Sequence, residues 1–246
     1  MYSNPNYAKS VSAKARSQRA RMCAQFLSKC GIAGATVLDL GGTVDYWKMN
    51  LNQFPDGMIK EIDIVNLPPQ KNRKETIDNV LLHVYEGNAL ERSTLRLNHY
   101  DFVHSNSVIE HVGNLHMQCV MARIIENVGT YYWVQTPAKS FPVEPHFYFP
   151  FFAYLPLGIR TILHRRINLG FMCKESNWIN ARITCEQTRL LTKSELEAIF
   201  PGARIIRERF FLMTKSYIAM NMADTQLQVA PHRTRYSEAA ALEVES

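Results

Sequence analysis

The chain has 246 residues, 46% of them hydrophobic and 20% charged, with 11 Gly and 11 Pro, which excludes a fibrous or disordered polymer and fits one large globular domain or two small ones. Lys and Arg number 28 against 22 Asp and Glu, but Lys9, Lys14, Arg16, Arg19, Arg21 and Lys29 carry the whole net charge of +6 within a first segment that has no acid. The rest of the chain balances to zero, so its body does not read as a binder of polyanions.

The basic segment, Ala8 to Lys29, predicts a helix with Val11, Ala15, Met22 and Phe26 along one stripe. Short apolar runs of strand length follow at Thr36–Leu40, Ile59–Val65, Val80–Tyr85, Asp101–Ser105 and Tyr131–Thr136, bounded by Gly, Pro, Asn or Asp. Between the last two, Asn114–Val128 places Met117, Val120, Met121, Ile124, Ile125 and Val128 at helical spacing. Such alternation implies βαβ units and a mainly parallel sheet covered on both faces. Pro137 to about Thr188 breaks the rhythm with an aromatic and proline-rich insertion. Its most apolar part, Phe147 to Leu163, is interrupted by Pro150, Pro156, Gly158 and Arg160, too broken to span a bilayer but able to lie on one. The α/β pattern resumes with a helix over Lys193–Phe200, where Thr192 and Glu195 form a capping box, and with strands at Ala203–Phe210 and Lys215–Asn221. From Thr225 onward there is no periodicity. The expected organisation is a basic helix over 1–30, one domain over 31–224 carrying an insertion at about 138–188, and a mobile tail over 225–246.

Cys23, Cys30, Cys119, Cys173 and Cys185 contain no CxxC pair, and their odd number argues against a closed disulfide framework. No apolar segment follows the basic amino terminus as a secretory signal would require. A cytoplasmic location is expected, peripheral at the inner membrane face if the insertion touches lipid.

The chemistry-bearing segments lie at strand ends. Val37-Leu38-Asp39-Leu40-Gly41-Gly42-Thr43 runs an apolar strand into glycines, which lets backbone approach a ligand at the carboxyl end of a parallel strand. Asp39 stands inside that apolar run, and a buried carboxylate needs donors. VLDLGGT resembles motif I of the class I S-adenosylmethionine-dependent methyltransferases, and YEGNAL, YDFVHSNSVIEHV and YYWVQTP follow in the matching order. The resemblance extends over residues 33–221 and is similar to the type 11 group. EPHFYFPF and LLTKSELEAIFPGARI resemble methyltransferases encoded with bacterial surface-polysaccharide genes.

This resemblance implies a Rossmann-like, mainly parallel seven-stranded sheet with helices on both faces and the last strand antiparallel. It implies S-adenosylmethionine as cofactor and S-adenosylhomocysteine as product. Asp39, Gly41, Gly42 and Thr43 would line the methionine part, although Thr43 and Asp45 stand where the family often has glycine. The ribose acceptor falls on Asn66, with Asp63 as the competing register. Asn88 and Ala89 would meet adenine, Ser105 and Asn106 would border the methyl group, and Glu110, at the start of the following helix, would complete the cofactor-binding set.

Methyl transfer to oxygen needs in-line alignment and a proton acceptor. His111, Glu144 and His146 are the candidate bases, the last two in a loop stiffened by Pro142 and Pro145. No carboxylate cluster announces a metal, so metal dependence stays open. The segment NSVI is not the Asn/Asp-Pro-Pro-aromatic motif of amino-group methyltransferases, so oxygen is the expected acceptor. The expected reaction is O-methylation of a sugar, nucleotide-sugar or lipid-linked glycan; a quinone, a polyketide or RNA is the alternative acceptor. The expected partners are that acceptor, a membrane surface through 147–166, and a second copy; nucleic acid is disfavoured.

Overall fold

A computed structural model describes residues 11–142, 149–169 and 172–221. The strands are β1 (Ala35–Leu40), β2 (Ile59–Asn66), β3 (Arg73–Ile77), β4 (Val80–Glu86), β5 (Tyr100–Asn106), β6 (Gly129–Pro137), β7 (Arg204–Phe210) and β8 (Met213–Met220). They form one sheet in the order β3-β4-β2-β1-β5-β6-β8-β7. The central pairs β4–β2, β2–β1, β1–β5 and β5–β6 are parallel, while β8 runs antiparallel to both β6 and β7. All seven expected strands are present, and β3 is an eighth, paired antiparallel to β4 at the edge. Its sequence, RKETI, carries three charges and no apolar run, so it has the character of a solvated edge strand and gives no periodic signal.

Two apolar layers cover the sheet. Helix α1 (Val11–Lys29) buries Ala20, Cys23, Ala24 and Leu27 at i, i+3, i+4 and i+7, together with Phe26, in one core with Val37, Ile62 and Phe102 of the sheet and Trp47 of α2 (Val44–Asn50). The expected stripe is therefore rotated: Phe26 is buried, but Ala15 and Met22 are only half-buried. Small residues win the contact because they let the helix approach closely. Arg19 of this helix pairs with Glu208 on β7 at 3.3 Å.

On the other face, α3 (Leu115–Val128) packs with α6 (Lys193–Ile199) against Leu38, Leu40, Val103 and Val134. Met121, Ala122, Ile125 and Val128 are buried, whereas Met117 is exposed. Gln118 takes a core position instead. Its amide donates to the carbonyls of Ile109 and Arg189 and accepts from Arg189, which satisfies it and ties the end of the insertion to α3. Asn114 caps α3, and the Thr192–Glu195 capping box starts α6 as the spacing predicts.

The insertion folds into a 3-10 turn, Phe152–Tyr154, and two packed helices, α4 (Leu157–Arg166) and α5 (Trp178–Glu186). Among the described residues no helix is long and apolar enough to cross a membrane.

Glu126 on α3 is half-buried, and desolvation pushes its carboxyl up to about 7 against a weaker pull from Arg123. The folded chain holds this proton more tightly than the unfolded one. The group's stabilising effect is therefore complete below its ordinary value of 4.5 and fades as pH rises through about 7. Urea unfolding of Glu126→Gln at about pH 5 and about pH 8 should show a smaller loss at the higher pH than the parent chain shows.

Candidate active site

The loops after β1, β2, β4, β5 and β6 meet at the carboxyl end of the sheet, where open α/β sheets bind their ligands. Gly41 has a φ of +71°, and a side chain there would meet Val108 in the loop after β5 at 2.5 Å. A Cβ on Gly42 would stand 1.7 Å from Asp39 Oδ2, so the carboxylate fills the space directly behind the turn. Thr43, exposed, caps α2 by accepting from the Tyr46 amide. That cap aims Trp47 back beneath the turn.

Asp39 is 1% exposed and has two donors: Trp47 Nε1 reaches Oδ2 at 2.7 Å and His104 Nδ1 reaches Oδ1 at 2.7 Å. His104 lies opposite Asp39 in the β1–β5 register and stacks on the Tyr46 ring, whose hydroxyl is 3.5 Å from Nε2. Burial pushes the Tyr46 hydroxyl and the nearby Cys23 thiol far up, with the Asp39 charge adding to both, so both stay neutral beside it. Within the described residues, the acid expected to serve the cofactor thus supports the turn from behind. His104 and Trp47 were not singled out by the sequence reading. A histidine inside a strand run was the available signal, and only the strand order connects it to Asp39.

Asn66 ends β2, and its Nδ2 donates to the Gly42 carbonyl at 2.9 Å, leaving its amide oxygen beside the glycine turn. Asp63, the competing register, lies three residues earlier and is buried. That residue is mid-strand, its carboxylate held by Arg96 Nε at 3.0 Å and by the Tyr100 hydroxyl at 2.6 Å. Glu61 and His83 lie beside it, with one ligand atom from each of the three residues within 4.8 Å of one another. The sequence did not reveal this group because the β2–β4 register assembles it. Arg96 also bonds Glu61, so a guanidinium already supplies the cation among these carboxylates.

Asn88 follows β4, and its side chain closes the loop on itself. Oδ1 accepts from the Leu90 amide at 3.0 Å and Nδ2 donates to Glu91 at 2.9 Å, the turn role its position after Gly87 also suggests. Ala89 packs half-buried beside it.

Ser105 is fully buried near the end of β5, and its hydroxyl has no hydrogen-bond partner among the described residues. Asn106 ends the strand, and Ser107 turns the chain in a left-handed conformation, φ +58°, with its hydroxyl on Gln135 at 2.9 Å. The 3-10 turn Ile109–His111 follows. Glu110 is fully buried there and accepts from Thr136 at 3.0 Å, while His111 is exposed at the rim. Glu144 and His146 lie outside the described residues.

Beyond β6, a cavity of about 120 Å³ is lined by Lys139, Arg160, Thr188 and Arg189, with Phe152 and Leu190 as its apolar wall. Arg189 is neutralised by Glu195 at 2.5 Å, whereas Arg160 donates through Nη1 to the Cys185 carbonyl at 3.2 Å and its buried Nε has no hydrogen-bond partner among the described residues. Among the described residues no acid lines this cavity. Sequence reasoning missed it because its residues come from both ends of the insertion.

The chain thus forms a Rossmann-like sheet with a reversed strand beside β6 and a bare glycine turn at the end of β1. No described family and no curated protein sequence matches the chain. Among solved structures it is similar to a Nostoc punctiforme protein provisionally named an O-methyltransferase, at 13% identity and a TM-score of 0.48, over 83% of this chain and 56% of that one. It is also similar to an O-methyltransferase family protein from Burkholderia thailandensis, at 12% identity and a TM-score of 0.44, over 83% and 57%. Magnesium protoporphyrin IX methyltransferase from Synechocystis, with S-adenosylmethionine bound, shares 10% identity at a TM-score of 0.47, over 90% and 87%. The chain spans little more than half the length of the first two proteins.

Gly42→Ala drives a methyl group into Asp39 and should destabilise the fold by about 1–3 kcal/mol in urea unfolding. His104→Phe leaves the buried carboxylate with one donor fewer, and a loss of about 3–5 kcal/mol is expected.

Proposed function

We propose that this chain is an S-adenosylmethionine-dependent O-methyltransferase whose acceptor is a hydroxyl of a sugar, nucleotide-sugar or lipid-linked glycan. The observation that carries the reading is the Gly41–Gly42 turn, bare of side chains in front and filled behind by Asp39, at the junction of the strand ends. The residues present fit the cofactor. The turn offers backbone at close range, and Asn66 turns an amide oxygen toward the same place, able to accept from a ribose hydroxyl. Asn66 would do this more weakly than the carboxylate usual in the family.

When bound, the cofactor supplies an electrophilic methyl group. The protein's part is to hold the acceptor hydroxyl in line with that group and to take up its proton. Glu110, buried on Thr136, braces the turn that carries His111. His111 at the rim is the candidate base within the described residues, with Glu144 and His146 as its competitors. With no acid among its described lining residues, the small cavity of Lys139 and Arg160 suits the phosphate of a nucleotide or lipid carrier better than a neutral quinone.

Isothermal titration should detect binding of S-adenosylmethionine and S-adenosylhomocysteine; no heat with either overturns the assignment. His111→Ala should lower turnover about a hundredfold or more while leaving S-adenosylhomocysteine affinity near the parent value. An unchanged rate transfers the role of base to Glu144 or His146. Lys139→Ala should raise KM for a phosphate-bearing acceptor about tenfold with little change in kcat.

A further inference from the structure

The β7–β8 hairpin turns through two residues, Phe211 and Leu212, between the paired Phe210 and Met213. Two-residue hairpin loops favour Gly, Asn or Asp, because their backbone needs positive φ. Here Phe211 takes a φ of +53°, and the two side chains are 83% and 95% exposed. The tip thus breaks a conformational preference and a solubility preference at once.

Phe151, at the start of the insertion's 3-10 turn, repeats both departures, with a φ of +59° and 59% exposure. The two sites are adjoining. The Phe151 amide donates to the Pro142 carbonyl, Phe141 meets Phe210 edge-on at 6.3 Å, and Phe210 meets Phe211 at 4.9 Å. Both lie beyond the carboxyl end of β6, since Pro137 pairs with Ser216 before the hairpin reaches its tip. Tyr154, Ile159 and Ile162 add further exposed apolar surface along the insertion.

The flanking charge is predominantly positive, with Glu175 beside His164 at the end of α4 offset by Lys174. Residues 149–169 contain Arg160, Arg165 and Arg166 and no acid, and the hairpin adds Arg207, Arg209 and Lys215. Its one acid, Glu208, is taken by Arg19 and Ser216.

We propose that this rim docks on an anionic lipid bilayer, with Phe211, Leu212 and Phe151 entering the interface and the arginines meeting lipid phosphates. Protruding apolar tips and basic flanks gain from the membrane through burial and through charge. A second copy applied by a two-fold axis would instead set arginine against arginine. The docking surface stands whether or not the reading of the reaction does. Its placement at the carboxyl end of the sheet, which rests on that reading, selects the lipid-linked glycan among the three acceptors.

The test is co-sedimentation of the full chain with vesicles of phosphatidylcholine mixed with phosphatidylglycerol, and with phosphatidylcholine alone. Binding to the mixed vesicles is expected to exceed binding to the neutral ones and to weaken with salt. The pair Phe211→Ser and Leu212→Ser should reduce it about tenfold or more, and Arg165→Gln with Arg166→Gln about fivefold for each charge lost. Phe211→Gly separates docking from folding, because glycine accepts the left-handed backbone. That variant should hold or raise the unfolding temperature while losing vesicle binding. Equal binding to neutral vesicles, or binding indifferent to these variants, overturns the proposal. So does a dimer in light scattering that Phe211→Gly dissolves, without vesicle binding by the parent chain. S-adenosylhomocysteine titration, run in parallel, reports on the proposed reaction separately.

Discussion

The glycine-turn end of the sheet depends on one buried carboxylate. Asp39 sits in the central strand, where an unpaired charge would be prohibitive, and is retained because Trp47 and His104 donate to its two oxygens. Those bonds fix three elements at once: the turn before α2, the helix that carries Trp47, and the neighbouring strand that carries His104. With the carboxylate pressed against Gly42, the turn has no freedom to retreat into the core. A bare, stiff backbone at the end of β1 is what a ligand needs from such a site, since less ordering remains to be done on binding.

The amino-terminal helix gains meaning from the same pair. Its small residues Ala20, Cys23 and Ala24 seat it in the core layer that covers Asp39 and His104, where water would otherwise compete for the hydrogen bonds. Of its basic residues, Lys14, Arg21 and Lys29 are exposed, and Arg19 reaches Glu208. The net charge of +6 is therefore a poor guide to partners. The charge invoked for the proposed membrane contact lies in the insertion and the hairpin, which the zero balance of the body conceals because acids elsewhere offset it.

Much of the site was legible because it follows from local order along the chain. Strand-to-glycine-to-helix at Val37–Thr43, the helix cap at Thr192 and the strand ends at Asn66 and Asn106 each depend on neighbours within a few residues. Other features resisted for identifiable reasons. Asn88 carries the expected sequence context yet spends its amide on Leu90 and Glu91, because a short polar side chain in a turn finds its nearest partners first. Gln118 occupies a core position that hydropathy assigns to its apolar neighbours, since three hydrogen bonds compensate its burial. Edge strand β3 has no apolar alternation to detect.

By itself, the amino-acid sequence determined the alternation of strands and helices, the glycine turn after β1 and the aromatic character of the insertion, because periodicity, turn chemistry and composition act over short distances. The tertiary structure alone decided which donors hold Asp39, that Asp63 sits in a cluster with Arg96 and Tyr100, and that Phe151 and Phe211 share one rim. Each of those outcomes is a matter of strand register and loop convergence between residues far apart in the chain. Long-range pairing selects among the arrangements that local preference leaves open.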